Sequence, residues 1–300
     1  MKKKTYLFAL MAMVLTLGSC SDNENGIGGE TSKYITVSTS IGNMTRVATD
    51  EKGGQTFEEG DEISVYAWTG DATVAPETSE RVVNNAINKL TNGSWVSTPQ
   101  MLWKNNRDKH YFIGVYPTAA ISDLSAGEYT FDANKQTESD LLVAVNPDGL
   151  SYNVDEPQTV PLTFTHVMAK LVVNLTYKNQ WGGIPTVEKV VVGNAAKEAT
   201  INYLTKVVTP STTAKEDFSL PEITENTKYV SVIIPQEEVT QLTIVIGGKN
   251  FVYDNGTPFK LESGKITTVN LEVGRDEIKL GDVKITNWED GSTFSGEALN

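Results

Sequence analysis

Cysteine occurs once in the 300 residues, histidine twice, and acidic residues outnumber basic ones 38 to 25. Each scarcity removes a class of protein. A lone cysteine, Cys20, closes no internal disulfide, so the fold must be held by its core. His110 and His166 lie far apart, each inside a β-rich run, and no G-x-S-x-G turn occurs, which argues against both a Ser-His-Asp triad and a zinc site. A net charge of −13 repels polyanionic nucleic acid. No apolar run reaches the ~20 residues that a membrane-spanning helix needs.

The remaining chemistry is sparse. Glu58, Glu59, Asp61 and Glu62 are dense enough to suggest calcium or a glycosidase pair, but neighbouring acids in an acidic chain read as a solvated turn. Asp132-Ala133-Asn134-Lys135-Gln136 opens like a calcium loop, yet Thr137 stands where glycine belongs and Val143 where glutamate belongs. Gly26, Gly28 and Gly29 follow no strand and cradle no phosphate. The tryptophans, Trp68, Trp95, Trp103, Trp181 and Trp288, read as core rather than as sugar platforms. No catalytic residue, metal or cofactor is expected, and the chain does not read as an enzyme.

What is present begins with a leader. Lys2, Lys3 and Lys4 precede the short apolar run Tyr6 to Leu17, and Leu17-Gly18-Ser19-Cys20 follows. This pattern resembles a bacterial lipoprotein signal ending in a lipobox, with Cys20 as the lipidated residue and residues 1–20 as the leader. Losing the three lysines takes the net charge from −13 to −16. Residues 21–33, glycine-rich and acidic, read as a tether that cannot order itself.

From Tyr34 the pattern alternates, with Ile35, Val37 and Ile41 on one face and Thr36, Ser38 and Ser40 on the other, as in a half-buried strand. The polar loop after it carries Thr45-Arg46-Val47 and runs to Gly54, exposed enough for a protease. Further strands are expected at Glu62 to Trp68, Tyr111 to Tyr116, Glu128 to Phe131 and Leu141 to Val145. A short helix is expected at Glu80 to Leu90, where Val82, Val83, Ala86 and Leu90 make an amphipathic stripe. A polar break at Asp155-Glu156-Pro157-Gln158 precedes a second series: Leu162 to Tyr177, Val187 to Val192, Tyr229 to Ile234, Leu242 to Ile246, Phe251 to Tyr253 and Lys265 to Val273. No long helical pattern interrupts either series, which predicts an all-β chain of two antiparallel sandwiches, residues 34–157 and 158–274. Residues 275–300 hold further strand material. Ile278 and Leu280 alternate in one parity, Val283 and Ile285 in the other, and Trp288 follows, so a bulge is expected at Gly281-Asp282.

Several segments together resemble the fimbrillin-like proteins of Bacteroidetes. They are Phe57-Glu58-Glu59-Gly60-Asp61-Glu62-Ile63-Ser64-Val65-Tyr66, Tyr111-Phe112-Ile113-Gly114-Val115-Tyr116-Pro117 and Asp140-Leu141-Leu142-Val143-Ala144 in the first half. Pro161 to Leu171, Ile233-Ile234-Pro235-Gln236, Gly264-Lys265-Ile266-Thr267 and Ile285-Thr286-Asn287-Trp288 follow in the second. The resemblance implies two transthyretin-like sandwiches and a subunit of a type V pilus, stalk or tip. It also implies an outer-membrane lipoprotein precursor, cleavage between Arg46 and Val47, and a groove that accepts a strand from another pilus subunit. Ile278, Leu280, Val283, Ile285 and Trp288 are the candidate donor strand; the other reading makes them the last strands of the second sandwich. A competing function from the same residues is an unpolymerised surface lipoprotein, anchored to the membrane at Cys20, that holds a glycan or host protein.

Overall fold

The computed structural model describes residues 33–42 and 56–288, apart from 137, 154, 157, 276 and 277. Cys20, Arg46 and Val47 lie outside the described residues. Nineteen strands carry the fold among those residues. The first eight are β1 (Thr36–Ile41), β2 (Glu62–Thr69), β3 (Val83–Thr91), β4 (Ser94–Thr98), β5 (His110–Tyr116), β6 (Gly127–Thr130), β7 (Leu142–Leu150) and β8 (Thr159–His166). The next six are β9 (Ala169–Tyr177), β10 (Val187–Ala196), β11 (Glu198–Asn202), β12 (Val207–Pro210), β13 (Lys215–Ser219) and β14 (Glu222–Thr224). The last five are β15 (Lys228–Ile233), β16 (Gln236–Ile246), β17 (Lys249–Leu261), β18 (Lys265–Val273) and β19 (Ile278–Asn287). Among the described residues helix is confined to two single 3-10 turns, Thr78–Glu80 and Asn179–Trp181. The all-β expectation holds.

The strands form four sheets. A seven-stranded sheet has the order β1-β8-β7-β5-β2-β3-β4, a five-stranded sheet β14-β15-β9-β18-β19, a four-stranded sheet β13-β10-β16-β17, and a three-stranded sheet β12-β11-β6. Pairing is antiparallel except at two places, β1 with β8 and β9 with β18, which corrects the purely antiparallel expectation. A parallel pair needs a long connection, and both have one: the chain returns to β8 and to β18 only after several intervening strands.

Two further expectations are corrected. The stretch Glu80 to Leu90 is not a helix but the approach to and body of β3. Asn85 adopts a left-handed φ of 55°, and pairing with β2 shifts register there, so Val83 and Ala86 are both buried three positions apart. A bulge thus imitates helical spacing. The run Leu162 to Tyr177 is two strands, broken at Val167-Met168. Its first part, β8, expected to open the second series, pairs with β7 and β1 in the seven-stranded sheet, whereas β9 enters the five-stranded one. The bulge expected at Gly281-Asp282 is observed: Leu280 faces Leu271 and Val283 faces Val269, leaving an extra residue on β19.

The seven-stranded sheet is buried on both faces, which is why β2 and β5 read as nearly continuous apolar runs. On β2, Ile63, Val65 and Ala67 join Ile35, Val37, Phe112, Leu162 and Phe164 in one core. Tyr66 and Trp68 point the other way, into a core shared with β9, β10, β16 and β18. Close packing sets Gly114: a Cβ there would lie 2.6 Å from Phe164 Cζ and 3.1 Å from Leu162 Cδ1. Those two side chains belong to β8, so the glycine lets β8 cover the sheet beside β1.

Candidate assembly groove

β1 is an edge strand by sheet order, yet it is held from two directions. On one side it pairs in parallel with β8 along its whole length, from Thr36 opposite Thr159 to Ile41 opposite Phe164. On the other, the residues leading into it close onto the segment after β4. Ile35 N–H donates to the Met101 carbonyl at 2.9 Å, and Trp103 N–H donates to the Lys33 carbonyl at 3.2 Å. The sheet therefore curls until its two ends meet, with β1 as the closing strand.

The alternation of β1 follows from that position. Ile35, Val37 and Ile41 are buried, at 9% exposure or less, in the core with Phe164, Leu162 and Phe112. Thr36 and Ser40 face outward, and their hydroxyls meet those of Thr159 and Thr163 on β8. Thr39 has inward parity, and its Oγ1 accepts from Trp95 Nε1 at 2.9 Å. Trp95, on β4, is held edge-on against Phe57 at 5.3 Å, and Phe57 packs in the same way on Phe164 at 5.1 Å. Removing β1 and the residues leading into it would leave an apolar slot lined by these rings, with an unpaired ladder on β8, the freed Met101 carbonyl and Trp103 backbone N–H, and one side-chain donor among the described residues, the Trp95 indole N–H.

The candidate donor residues lie on and after β19. Ile278, Leu280, Val283 and Ile285 pair along β18 at the edge of the five-stranded sheet, with Val283 37% and Ile285 39% exposed. Trp288, just beyond the strand, is buried at 7% exposure. Its ring stacks on His166, centroids 4.1 Å apart and planes 6° from parallel, and the Trp288 backbone N–H donates to the Gly264 carbonyl at 3.1 Å.

Both histidines are structural. His110 is fully buried; its Nε2 accepts the Lys104 N–H at 3.0 Å, and its Nδ1 lies 3.1 Å from the Asp108 carbonyl. His166 Nδ1 meets Asp140 Oδ1 at 2.9 Å beneath Trp288. Ser263 shares a small recess with His166, but its hydroxyl donates to the Val167 carbonyl at 2.8 Å. The acidic run is a turn as expected. Asp61 accepts the Glu58 N–H, Glu59 accepts those of Asn92 and Gly93, and Glu62 pairs with Lys89. Among the described residues no group of His, Cys, Asp and Glu is placed to hold a metal ion. A cleft of about 730 Å³ beside Trp68, Leu102 and Trp103 contains Arg81. That guanidinium already donates to Asn84 and to the carbonyls of Ile121 and Ser122, so it ties a loop to the sheet. Trp68 and Trp103 are themselves buried, and neither offers a free platform.

The fimbrillin-like family profile matches residues 45–288. The chain belongs to the fimbrillin-like family. It is 25% identical over 317 aligned residues, 97% of each chain, to the protein named as fimbrium subunit Fim1C of Bacteroides uniformis. Two crystal structures of proteins designated cell adhesion proteins share the fold. The one from Bacteroides uniformis has a TM-score of 0.64 at 20% identity, covering 86% of this chain and 100% of that one. The one from Bacteroides ovatus has 0.65 at 17%, covering 85% and 98%. The chain is thus a fimbrillin-like protein rather than an enzyme, and within such a chain the β1 slot becomes the feature of interest.

Proposed function

We propose that this fimbrillin-like chain is a structural subunit of a cell-surface fimbrium. It is exported as a lipoprotein through Cys20, cut between Arg46 and Val47, and assembled by a strand from another subunit entering the slot that β1 leaves. The single observation that supports this reading is the seating of β1. The strand buries three large apolar side chains, each contributing roughly 1.5–3 kcal/mol, and pairs in full with β8. Its covalent link to the strands that follow runs through the stretch that contains Arg46. A cut there converts a covalently held strand into a replaceable one, and a second strand with the same alternation restores both the ladder and the core.

A strand exchanged in this way gives a joint with no covalent bond and with the burial of a core strand, which suits a fibre under load. Amino-terminal sequencing of the protein recovered from cell-surface fibres tests the proposal. A start at Val47 is expected, whereas a lipid-modified Cys20 on polymerised material would overturn the cleavage step.

A further inference from the structure

Besides backbone groups that any extended strand can pair, the slot holds one side-chain donor among the described residues. Along β1 and the residue before it the inward positions are Ile35, Val37, Thr39 and Ile41, and the only hydrogen bond sent to them by a side chain among the described residues is Trp95 Nε1 to Thr39 Oγ1, at 2.9 Å. The indole is fixed from behind by Phe57, so it cannot swing its N–H out to solvent without losing the edge-on contact at 5.3 Å. When β1 is absent, water can satisfy that N–H. When a new strand fills the slot it covers that N–H in part, as β1 does, and pairs it well only if the strand brings an acceptor to the same place. An apolar side chain there leaves this half-buried donor without the hydroxyl that now accepts from it, which costs about one hydrogen bond.

We propose that Trp95 is a specificity-determining residue of the slot, which takes an extended segment of a second subunit carrying apolar, apolar, acceptor and apolar side chains at successive inward positions. This rests on the strand-exchange reading and names what that site selects. The selection is asymmetric along the strand. The acceptor is third in a strand running parallel to β8, as β1 does, so Trp95 also fixes register and direction: a slip by two residues puts an apolar group under the N–H. The chain's own β19 carries Val283, Ile285 and Asn287 in this spacing, and the Asn287 carboxamide oxygen, which accepts from Lys265 in the resident position, is a suitable acceptor. Glu289 then falls at the place of Ile41, so a second copy satisfies three positions of the four and a strand with an apolar fourth residue fits better.

The test uses the full chain cut after Arg46 and two labelled peptides of residues 33–42, one native and one with Thr39→Val, which keeps the shape and removes the acceptor. The native peptide is expected to bind about fivefold more tightly, the effect of roughly one hydrogen bond at a half-buried donor. In a Trp95→Phe chain, which keeps the ring against Phe57, that preference is expected to vanish. Equal binding of the two peptides to the unaltered cut chain would overturn the role of Trp95 while leaving strand exchange in place. A preference that persists in Trp95→Phe would overturn it as well. Binding of neither peptide to the cut chain would overturn strand exchange itself, and the specificity with it. The comparison of peptides on the unaltered chain decides the matter even if Trp95→Phe does not fold.

Discussion

His110 is the buried residue of β5 whose protonation the fold resists most plainly. The Asp108 carbonyl can only accept, so Nδ1 carries the proton and donates, and Nε2 is left to accept from Lys104 N–H. Both ring nitrogens are therefore used by the neutral form. Burial pushes the imidazole below its ordinary value of 6.5, outweighing the Asp108 carbonyl and the Asp108 charge, which act upward. A group whose affinity for protons is lower when folded favours the folded state fully above its unfolded value and loses that contribution as pH falls. Thermal unfolding followed from pH 7.5 down to 5 should therefore show a falling melting temperature. The His110→Gln variant, which keeps one donor and one acceptor, should show a flatter profile over the same range. Parallel slopes in the two proteins would assign the acid sensitivity to other groups.

Strands were readable where alternation or a continuous apolar run was uninterrupted, as in β1, β2, β5, β9 and β18, because burial on one face or two leaves that trace directly. Legibility failed where backbone geometry altered the period. Asn85 with φ of 55° placed Val83 and Ala86 at helical spacing, and the break at Val167-Met168 was hidden inside one apolar run. The parallel placement of β1 on β8 was not legible at all, since register and partner depend on residues more than a hundred positions away. The groove was half legible. Ile35, Val37 and Ile41 announced an inward face, but Thr39 has their parity, and a threonine at an inward position was the signal that a side-chain donor stood opposite. Arg46 stands five residues beyond the end of this strand in sequence. Replacing it with alanine leaves every described contact of β1 in place, so Arg46→Ala protein should fold and reach the surface yet fail to form polymers that survive boiling in detergent. Fibres of normal length and abundance on cells carrying that variant would exclude cleavage there as the trigger.

Seen across the whole molecule, β1 and β19 are unlike in the way they are held. β1 is buried on its inward face and closes a curled sheet, whereas β19 lies on the edge of another sheet with Val283 and Ile285 more than a third exposed. Most of what fastens β19 to its own chain is the ladder to β18 and the burial of Trp288 against His166. Trp288 sits at the margin of the core and Ile278 and Leu280 are only partly buried against it, so removing the strand uncovers an edge of that core rather than its centre. Losing the Trp288 contact costs about 2–3 kcal/mol, which for a chain of this size corresponds to a fall in melting temperature of roughly 5–10 °C. A chain ended after Gly274 should accordingly remain a folded monomer that melts within that interval of the full chain. If residues 278–288 also supply the strand that enters a neighbour, the shortened chain should accept strands from intact subunits but donate none, so that mixing it with cut full-length protein caps growth. Two measurements made side by side, thermal unfolding of the monomers and the length distribution of polymers formed in the mixture, separate the possibilities. Aggregation or a much larger loss of stability on truncation would make β19 a core strand of its own sheet and remove it as the donor. A small loss of stability with undiminished polymer growth would keep the fold as described and require the donor to be another segment.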